Sequence, residues 1–270
     1  VVSKRIKAFL RKYKPAHHWH VDELRAYDTF GALTNHFETT TNRFLSQLLT
    51  ENTIESTYKS SIATIWNDRV AKHKEYTAKI PFSDFKVFDF ICQNLPKNTQ
   101  LQVSNSSAIR YLQLFDLDKS IQVFCNRGTS GIDGSTSTAI GAAFASDLPT
   151  ILITGDISFL YDSNALWNNY IPKNFKIILL NNSGGGIFRI LPGHQETETF
   201  NTYFETSHQL NASHLAKMYG LDYFEANDEI TLQQQYSAFL NQNEKPSILE
   251  VFTPEKENNG ILLEFFRQLK

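Results

Sequence analysis

Apolar positions along this chain follow two different rules in succession. Over residues 3–14, Ile6, Phe9, Leu10 and Tyr13 recur at helical spacing and predict an amphipathic helix. The run HHWHVDE after it reads as a short strand, and Gly31 with Asn35 marks a loop. From about Ile54 to Lys79 polar residues dominate, with a sparse stripe at Tyr58, Ile62, Ile65, Trp66 and Val70. That is the pattern of a helix lying on a surface, suited to a connector. From Pro81 the grammar changes. The pair Ser83–Asp84 opens a helix that continues through Phe85, Phe88 and Ile91. Short, unalternated apolar runs then alternate with helical stretches. They read LQV, a helix from Ser106, IQVF, a helix from Gly134, TILIT, a helix from Ser163, and KIILL. After a long loop come a helix near Ser213, a short run at Asp222–Phe224, a helix near Thr231 and the strand SILEVF. Apolar strands without alternation, separated by helices, predict an α/β fold with a doubly wound parallel sheet and helices on both faces. In such a sheet, ligands lie beyond the carboxyl ends of the strands where the strand order reverses.

Composition narrows the classes without naming one. A net charge of −2 over 270 residues gives no field of one sign for nucleic acid or an anionic membrane surface. No run approaches the ~20 apolar residues of a spanning helix, and the basic opening lacks the apolar core of a signal peptide. Two cysteines, Cys92 and Cys125, in so long a chain point to a reducing compartment, hence the cytoplasm. Val1 in place of a methionine leads us to expect a chain that begins inside a longer protein.

The chemistry-bearing residues cluster where that sheet would place a ligand. After TILIT comes Gly155-Asp156-Ile157-Ser158, and after KIILL comes Asn181-Asn182-Ser183-Gly184-Gly185-Gly186. Adjacent parallel strands bring both loops to one edge. A carboxylate oxygen, an amide oxygen and a glycine carbonyl are hard ligands that suit Mg²⁺, which takes few protein ligands beside phosphate oxygens and water. Gly155–Asp156 alone reads first as a turn with a helix cap; its pairing with NNSGGG is what favours the metal. Two rival phosphate motifs fail. Arg189 stands where the dinucleotide fingerprint needs its last glycine, and no stretch matches a P-loop. After IQVF, Asn126-Arg127-Gly128-Thr129-Ser130-Gly131-Ile132-Asp133-Gly134 runs into a small-residue helix. Arg127 can clamp a carboxylate. Asn105-Ser106-Ser107 reads as a helix cap whose first turn includes Arg110, a second anion-binding candidate. Either arginine alone is equally a surface ion pair. His17, His18 and His20 lack a carboxylate or cysteine pattern that would close a metal site. His73, His194 and His208 carry no reading.

Together, N-R-G-T-S-G-I-D-G, G-D-I-S and N-N-S-G-G-G-I-F-R-I-L-P resemble the 2-succinyl-5-enolpyruvyl-6-hydroxy-3-cyclohexene-1-carboxylate synthase family of menaquinone biosynthesis, transferases that depend on thiamine diphosphate. The resemblance implies Mg²⁺, with Mn²⁺ as the alternative ion, ligated by Asp156, Asn182 and the Gly184 carbonyl. It implies that Gly155, Ile157 and Ser158 hold the diphosphate and that Ile132 props the cofactor in a bent conformation. Ile187, Phe188 and Leu191 would wall the pocket, while Ser106, Arg110 and Arg127 would meet the substrates, 2-oxoglutarate and isochorismate. Residues 1–50 would be the C-terminal part of a central domain, 51–80 a connector helix, and 81–270 the diphosphate-binding domain. The activating glutamate would belong to an absent pyrimidine-binding domain, and the site would form between subunits of a homodimer or homotetramer. The chain alone is then expected to be inactive. Another thiamine-diphosphate carboligase or decarboxylase, of the acetolactate-synthase kind, and a non-catalytic cofactor-binding module of a split enzyme are the alternatives.

Overall fold

The structure, a computed structural model, describes residues 4–50, 56–128, 130–190 and 195–269. The chain divides into two units, Val1–Ile65 and Trp66–Lys270. In the first, helix α1 (Lys4–Lys12) precedes strands β1 (Trp19–Val21) and β2 (Asn35–Phe37), which pair in parallel, and helix α2 (Thr41–Thr50) follows. Asn35, expected in a loop, therefore starts a strand, in register with Trp19. The Trp19, Phe37 and Phe44 rings meet edge to face or tilted, the geometry aromatic rings favour.

Helix α3 (Tyr58–Lys79) carries the division between the units. In the second unit, Ser83 caps α4 (Asp84–Asn94) by accepting the Lys86 N–H, as its sequence predicts. Then follow β3 (Gln100–Val103), α5 (Ser107–Leu112), β4 (Gln122–Cys125), α6 (Ser135–Phe144), β5 (Thr150–Gly155) and α7 (Asp156–Tyr161). They are succeeded by β6 (Lys176–Asn181), α8 (Ser213–Tyr219), β7 (Asp222–Ala226), α9 (Glu229–Asn241), β8 (Ser247–Phe252) and α10 (Asn258–Gln268). Six strands, all parallel, lie in the order β4-β3-β5-β6-β8-β7. From β3 the chain steps one way to β4 and then the other way to β5, so the strand order reverses between β3 and β5.

Alternate strand residues sort into two cores. Ile151, Ile153, Ile178, Leu180, Leu249 and Val251 pack with α4, α5, α9 and α10; Leu152, Ile177, Leu179 and Ile248 pack with α6, α7 and α8. Both faces are thus covered, which is why β5, β6 and β8 read as continuous apolar runs. The doubly wound parallel sheet holds.

Three local readings change. The helix expected from Ser163 is a 3₁₀ turn (Ser163–Trp167), because the α-helix already begins at Asp156 and stops at Asp162. The Asp162 carboxylate is taken by Ser137, accepting both its N–H and its hydroxyl across to α6. Ser106 precedes α5 but makes no side-chain cap, its backbone lying at φ +73°. The long loop after β6 holds a 3₁₀ turn (Gly186–Ile190) and a π-helical turn (Phe200–Glu205). Among the described residues no helix is long and apolar enough to cross a membrane.

Candidate functional site

A cavity of about 430 Å³ opens at the carboxyl ends of β3, β5 and β6, where the strand order reverses. Ser106, Arg110, Ile132, Gly155, Asp156, Ile157, Ser158, Asn182, Gly184, Ile187 and Phe188 all line it. The expected residues from four separate segments converge. Arg127 lies beside this lining, its guanidinium donating to Asn105 Oδ1 (3.0 Å). Leu191 and His194 lie outside the described residues.

The two loops thought to hold a metal are tied to each other. Asp156, almost wholly buried, accepts the Gly184 N–H on Oδ2 (2.9 Å) and the Ile157 N–H on Oδ1 (2.7 Å). Gly155 has extended backbone (φ −88°, ψ 162°), so it is not the sharp turn its sequence suggests. A Cβ there would stand in open space at the edge of the cavity. What glycine supplies at 155 is room for a ligand against the main chain. At Gly184 the reason is conformational as well: φ is +155°, and a Cβ would fall 2.8 Å from the Glu205 carbonyl oxygen.

The neighbouring asparagines divide the work. Asn181 is consumed by the framework, donating to Leu210 O and Glu250 Oε1 and accepting the Ser183 N–H. Asn182 donates from Nδ2 to Asp84 Oδ2 (2.9 Å), while its buried Oδ1 has no hydrogen-bond partner among the described residues. A buried carbonyl oxygen without a donor is costly, by about 1–3 kcal/mol, unless something else meets it. A cation does. No three His, Cys, Asp or Glu side chains converge among the described residues, so the donors on offer are one carboxylate, one amide oxygen and main chain. That is a hard oxygen set of the kind Mg²⁺ takes when phosphate and water complete its shell.

Several residues not assigned to the site from the sequence belong here. Asp84, buried at 3% exposure, has its carboxyl pushed up to about 6 by burial, with Thr253 and Asn182 pulling down and the Asp156 charge pushing up. His208 sits with Nε2 3.2 Å from Asp156 Oδ2, and that carboxylate raises its pKa. Its Nδ1 accepts the Leu210 N–H, which leaves the proton on Nε2 facing Asp156. The segment carrying it straps the glycine loop: Gly185 N–H donates to Glu205 O (2.6 Å) and His208 N–H to Ser183 O (3.1 Å). The strap is pinned by a buried, two-pronged ion pair between Arg189 and Glu205. Arg189, noticed only as the residue that spoils a dinucleotide fingerprint, is the clamp of this loop. Ser158 spends its hydroxyl proton on the Ile132 carbonyl (2.5 Å), joining the loop after β4 to α7.

On the β3–β4 side charge is left uncompensated. Arg110 donates to the Ser106 carbonyl, and burial with the nearby Arg127 charge lowers its pKa. Neither guanidinium has a carboxylate partner among the described residues.

Residues 105–251, which span most of the cavity wall, match the family model described as "Thiamine pyrophosphate enzyme, C-terminal TPP binding domain". The chain belongs to the thiamine pyrophosphate enzymes. It is 64% identical over its whole length to the 2-succinyl-5-enolpyruvyl-6-hydroxy-3-cyclohexene-1-carboxylate synthase of Flavobacterium johnsoniae, covering 49% of that protein. The same-named protein of Flavobacterium psychrophilum is 65% identical over all 270 residues, again 49% of its length, and that of Christiangramia forsetii is 54% identical, with 47% covered. The chain spans about half the length of the curated relatives it matches. The residues present suit a thiamine pyrophosphate enzyme: Asn182 Oδ1 awaits a donor or a cation, and Gly155 leaves its main chain open to the diphosphate.

Proposed function

We propose that this chain is the C-terminal part of a synthase that decarboxylates 2-oxoglutarate and joins the remaining four-carbon unit to isochorismate, in menaquinone biosynthesis. The observation that carries the reading is the pair of arginines, without carboxylate partners among the described residues, in and beside a cavity that also offers an orphaned amide oxygen near a carboxylate. Relatives bearing the synthase's name, 64–65% identical along the whole chain, support the same reading. Thiamine diphosphate, when bound, supplies the electron sink that holds the pair of electrons left behind by CO₂. Mg²⁺ or Mn²⁺ would be held by Asp156, Asn182 Oδ1 and the Gly184 carbonyl, and the diphosphate would lie against Gly155, Ile157 and Ser158.

The chain's own residues then orient and exclude. Arg110 and Arg127 neutralise substrate carboxylates, each through a planar fork of donors. Ser106 sits beside them at the start of α5. Ile132, Ile187 and Phe188 keep water from the reacting carbons, and a drier site strengthens every charge interaction in it. Phe188 packs its ring edge to face on Phe204 of the strap, 5.9 Å between centroids. Leu191 would extend that wall. The group that activates the cofactor's ring belongs to the pyrimidine-binding domain of the family, contributed by another subunit of a homodimer or homotetramer, and the chain alone does not turn over. The two free cysteines, Cys92 and Cys125, fit the cytoplasm.

Product analysis of the full-length protein tests the substrate assignment. Isochorismate with 2-oxoglutarate should yield the succinyl adduct and CO₂, and pyruvate should not replace 2-oxoglutarate. Acetolactate from pyruvate at a comparable rate would contradict it.

A further inference from the structure

An asparagine that ligates a cation has to present oxygen rather than nitrogen, and the two ends of its amide are nearly the same size. Something must choose between them. At Asn182 the choice is made from behind. Asp84 Oδ2 accepts from Asn182 Nδ2 at 2.9 Å, and an ionised carboxylate can only accept, so the amide nitrogen has to face it. Oδ1 is thereby turned away from Asp84, buried and without a donor among the described residues. Asp84 is itself immobilised from three sides. Thr253 donates its hydroxyl to Oδ1 at 2.5 Å, the Asp84 N–H donates to Asn258 Oδ1 at 2.8 Å, and Ser83 caps the helix that Asp84 begins. These bonds link residues 98 to 174 positions apart: the start of α4, the ends of β6 and β8, and the start of α10. The Thr253 N–H in turn donates to the Asn181 carbonyl (3.0 Å), which fixes the strand end that carries Asn182.

We propose that Asp84 is the positioning residue of the metal site, holding the Asn182 amide by its nitrogen so that Oδ1 faces the cation, with Thr253 holding Asp84. It rests on the reading of Asp156 and Asn182 as metal ligands. Asp84 is at the wall of the same cavity, but its two carboxylate oxygens are taken by Asn182 and Thr253, so it acts through Asn182. Partners of this kind behind metal ligands are typically worth about 10–100-fold in metal affinity.

The test is a titration of the full-length protein with Mn²⁺ in the presence of thiamine diphosphate, free Mn²⁺ being read by electron paramagnetic resonance. Asp84→Ala leaves the Asn182 nitrogen without an acceptor and frees the amide to flip; its Kd for Mn²⁺ should rise about 10–100-fold. Asp84→Asn still offers an oxygen to Asn182 and a donor to Thr253, so its Kd should stay within about threefold of wild type. Thr253→Val loosens Asp84 and should weaken Mn²⁺ by an intermediate factor. Asn182→Ala should weaken it at least as much as Asp84→Ala. An unchanged Kd in Asn182→Ala overturns the ligand assignment itself. A weakened Asn182→Ala beside an unchanged Asp84→Ala overturns only the role of Asp84. Asp84→Asn as weak as Asp84→Ala also overturns it, by showing that the negative charge, not the orientation, is what counts. Where Asp84→Ala does not fold, Thr253→Val and Asp84→Asn decide, and wild-type affinity in Thr253→Val goes against the proposal.

Discussion

The two sides of the cavity are built on different terms. On the β5–β6 side, Gly184 is bonded to Asp156 and Asn182 to Asp84, the four mostly buried beneath a strap that Arg189 and Glu205 lock down. On the β3–β4 side, Arg110 is exposed, Arg127 half-exposed, and β4 is an edge strand whose Val123 and Phe124 are 42% and 47% exposed. The first region is finished within this chain. The second has charge and apolar surface still uncompensated. The difference matches the tasks proposed for them: a cofactor's charged end needs fixed ligands, whereas substrates with carboxylates need reachable cations. Preorganised polar groups are worth most where water is excluded, and they have to be held in place by something other than the ligand.

Breaking the strap attacks the finished side hardest. Glu205→Ala leaves the Arg189 guanidinium buried beside only the half-exposed Glu196, and should cost about 3–5 kcal/mol of stability, seen in urea or thermal unfolding. Replacing both partners by apolar residues of similar volume should recover most of that loss. If Glu205→Ala unfolds like wild type, the strap is not what completes this region.

A control at the opposite end of the same strands isolates the effect of burial from that of the site. Lys176 starts β6, is 4% exposed, and has its pKa lowered to about 8, chiefly by burial, with the Asp222 charge opposing. Between about pH 8 and pH 10.5 the unfolded chain holds a proton that the folded chain has released. Stability therefore rises with pH across that window, by about 3 kcal/mol in all. Lys176→Met should flatten the slope, which unfolding curves at several pH values would measure. A wild-type slope in the variant would show that another group is responsible.

The open side should respond in the opposite sense, through substrate and not stability. Arg110→Ala and Arg127→Ala are each expected to raise KM for a carboxylate substrate about tenfold or more, as lost charged hydrogen bonds do. Both should keep wild-type unfolding and metal affinity within about twofold. Steady-state kinetics beside metal titration reads both quantities. Loss of metal affinity in either variant would erase the distinction between the two sides.

The sequence made the finished side partly legible and left its supports hidden. TILIT and KIILL announce neighbouring buried strands, and the polar loops directly after them had to meet at one edge. Which of Asn181 and Asn182 faces the cavity came only from the family resemblance and not from the local pattern, because adjacent residues of one type differ only in partners brought by folding: Glu250 and Leu210 for one, Asp84 for the other. Asp84 carried a local explanation as half of a capping pair, and its real partners are too distant in sequence to leave a pattern. Helix α10 was missed for a plainer reason. It begins with Asn258, Asn259 and Gly260, weak helix formers, and has no side-chain cap, so packing of Leu262 and Phe265 makes it a helix. Ser106 misled in the other direction. A serine before a helix is a common cap, but here φ +73° turns the residue away and its carbonyl serves Arg110 instead.

On the proposed function, this chain carries the metal–diphosphate anchor of a thiamine pyrophosphate enzyme, with Asp156 at its heart. Calorimetric titration of thiamine diphosphate into the full-length protein, with and without Mg²⁺, tests it most directly, wild type against Asp156→Ala. Binding should be tight and Mg²⁺-dependent in wild type and lost in the variant. Equal, Mg²⁺-dependent affinity in both proteins would contradict it.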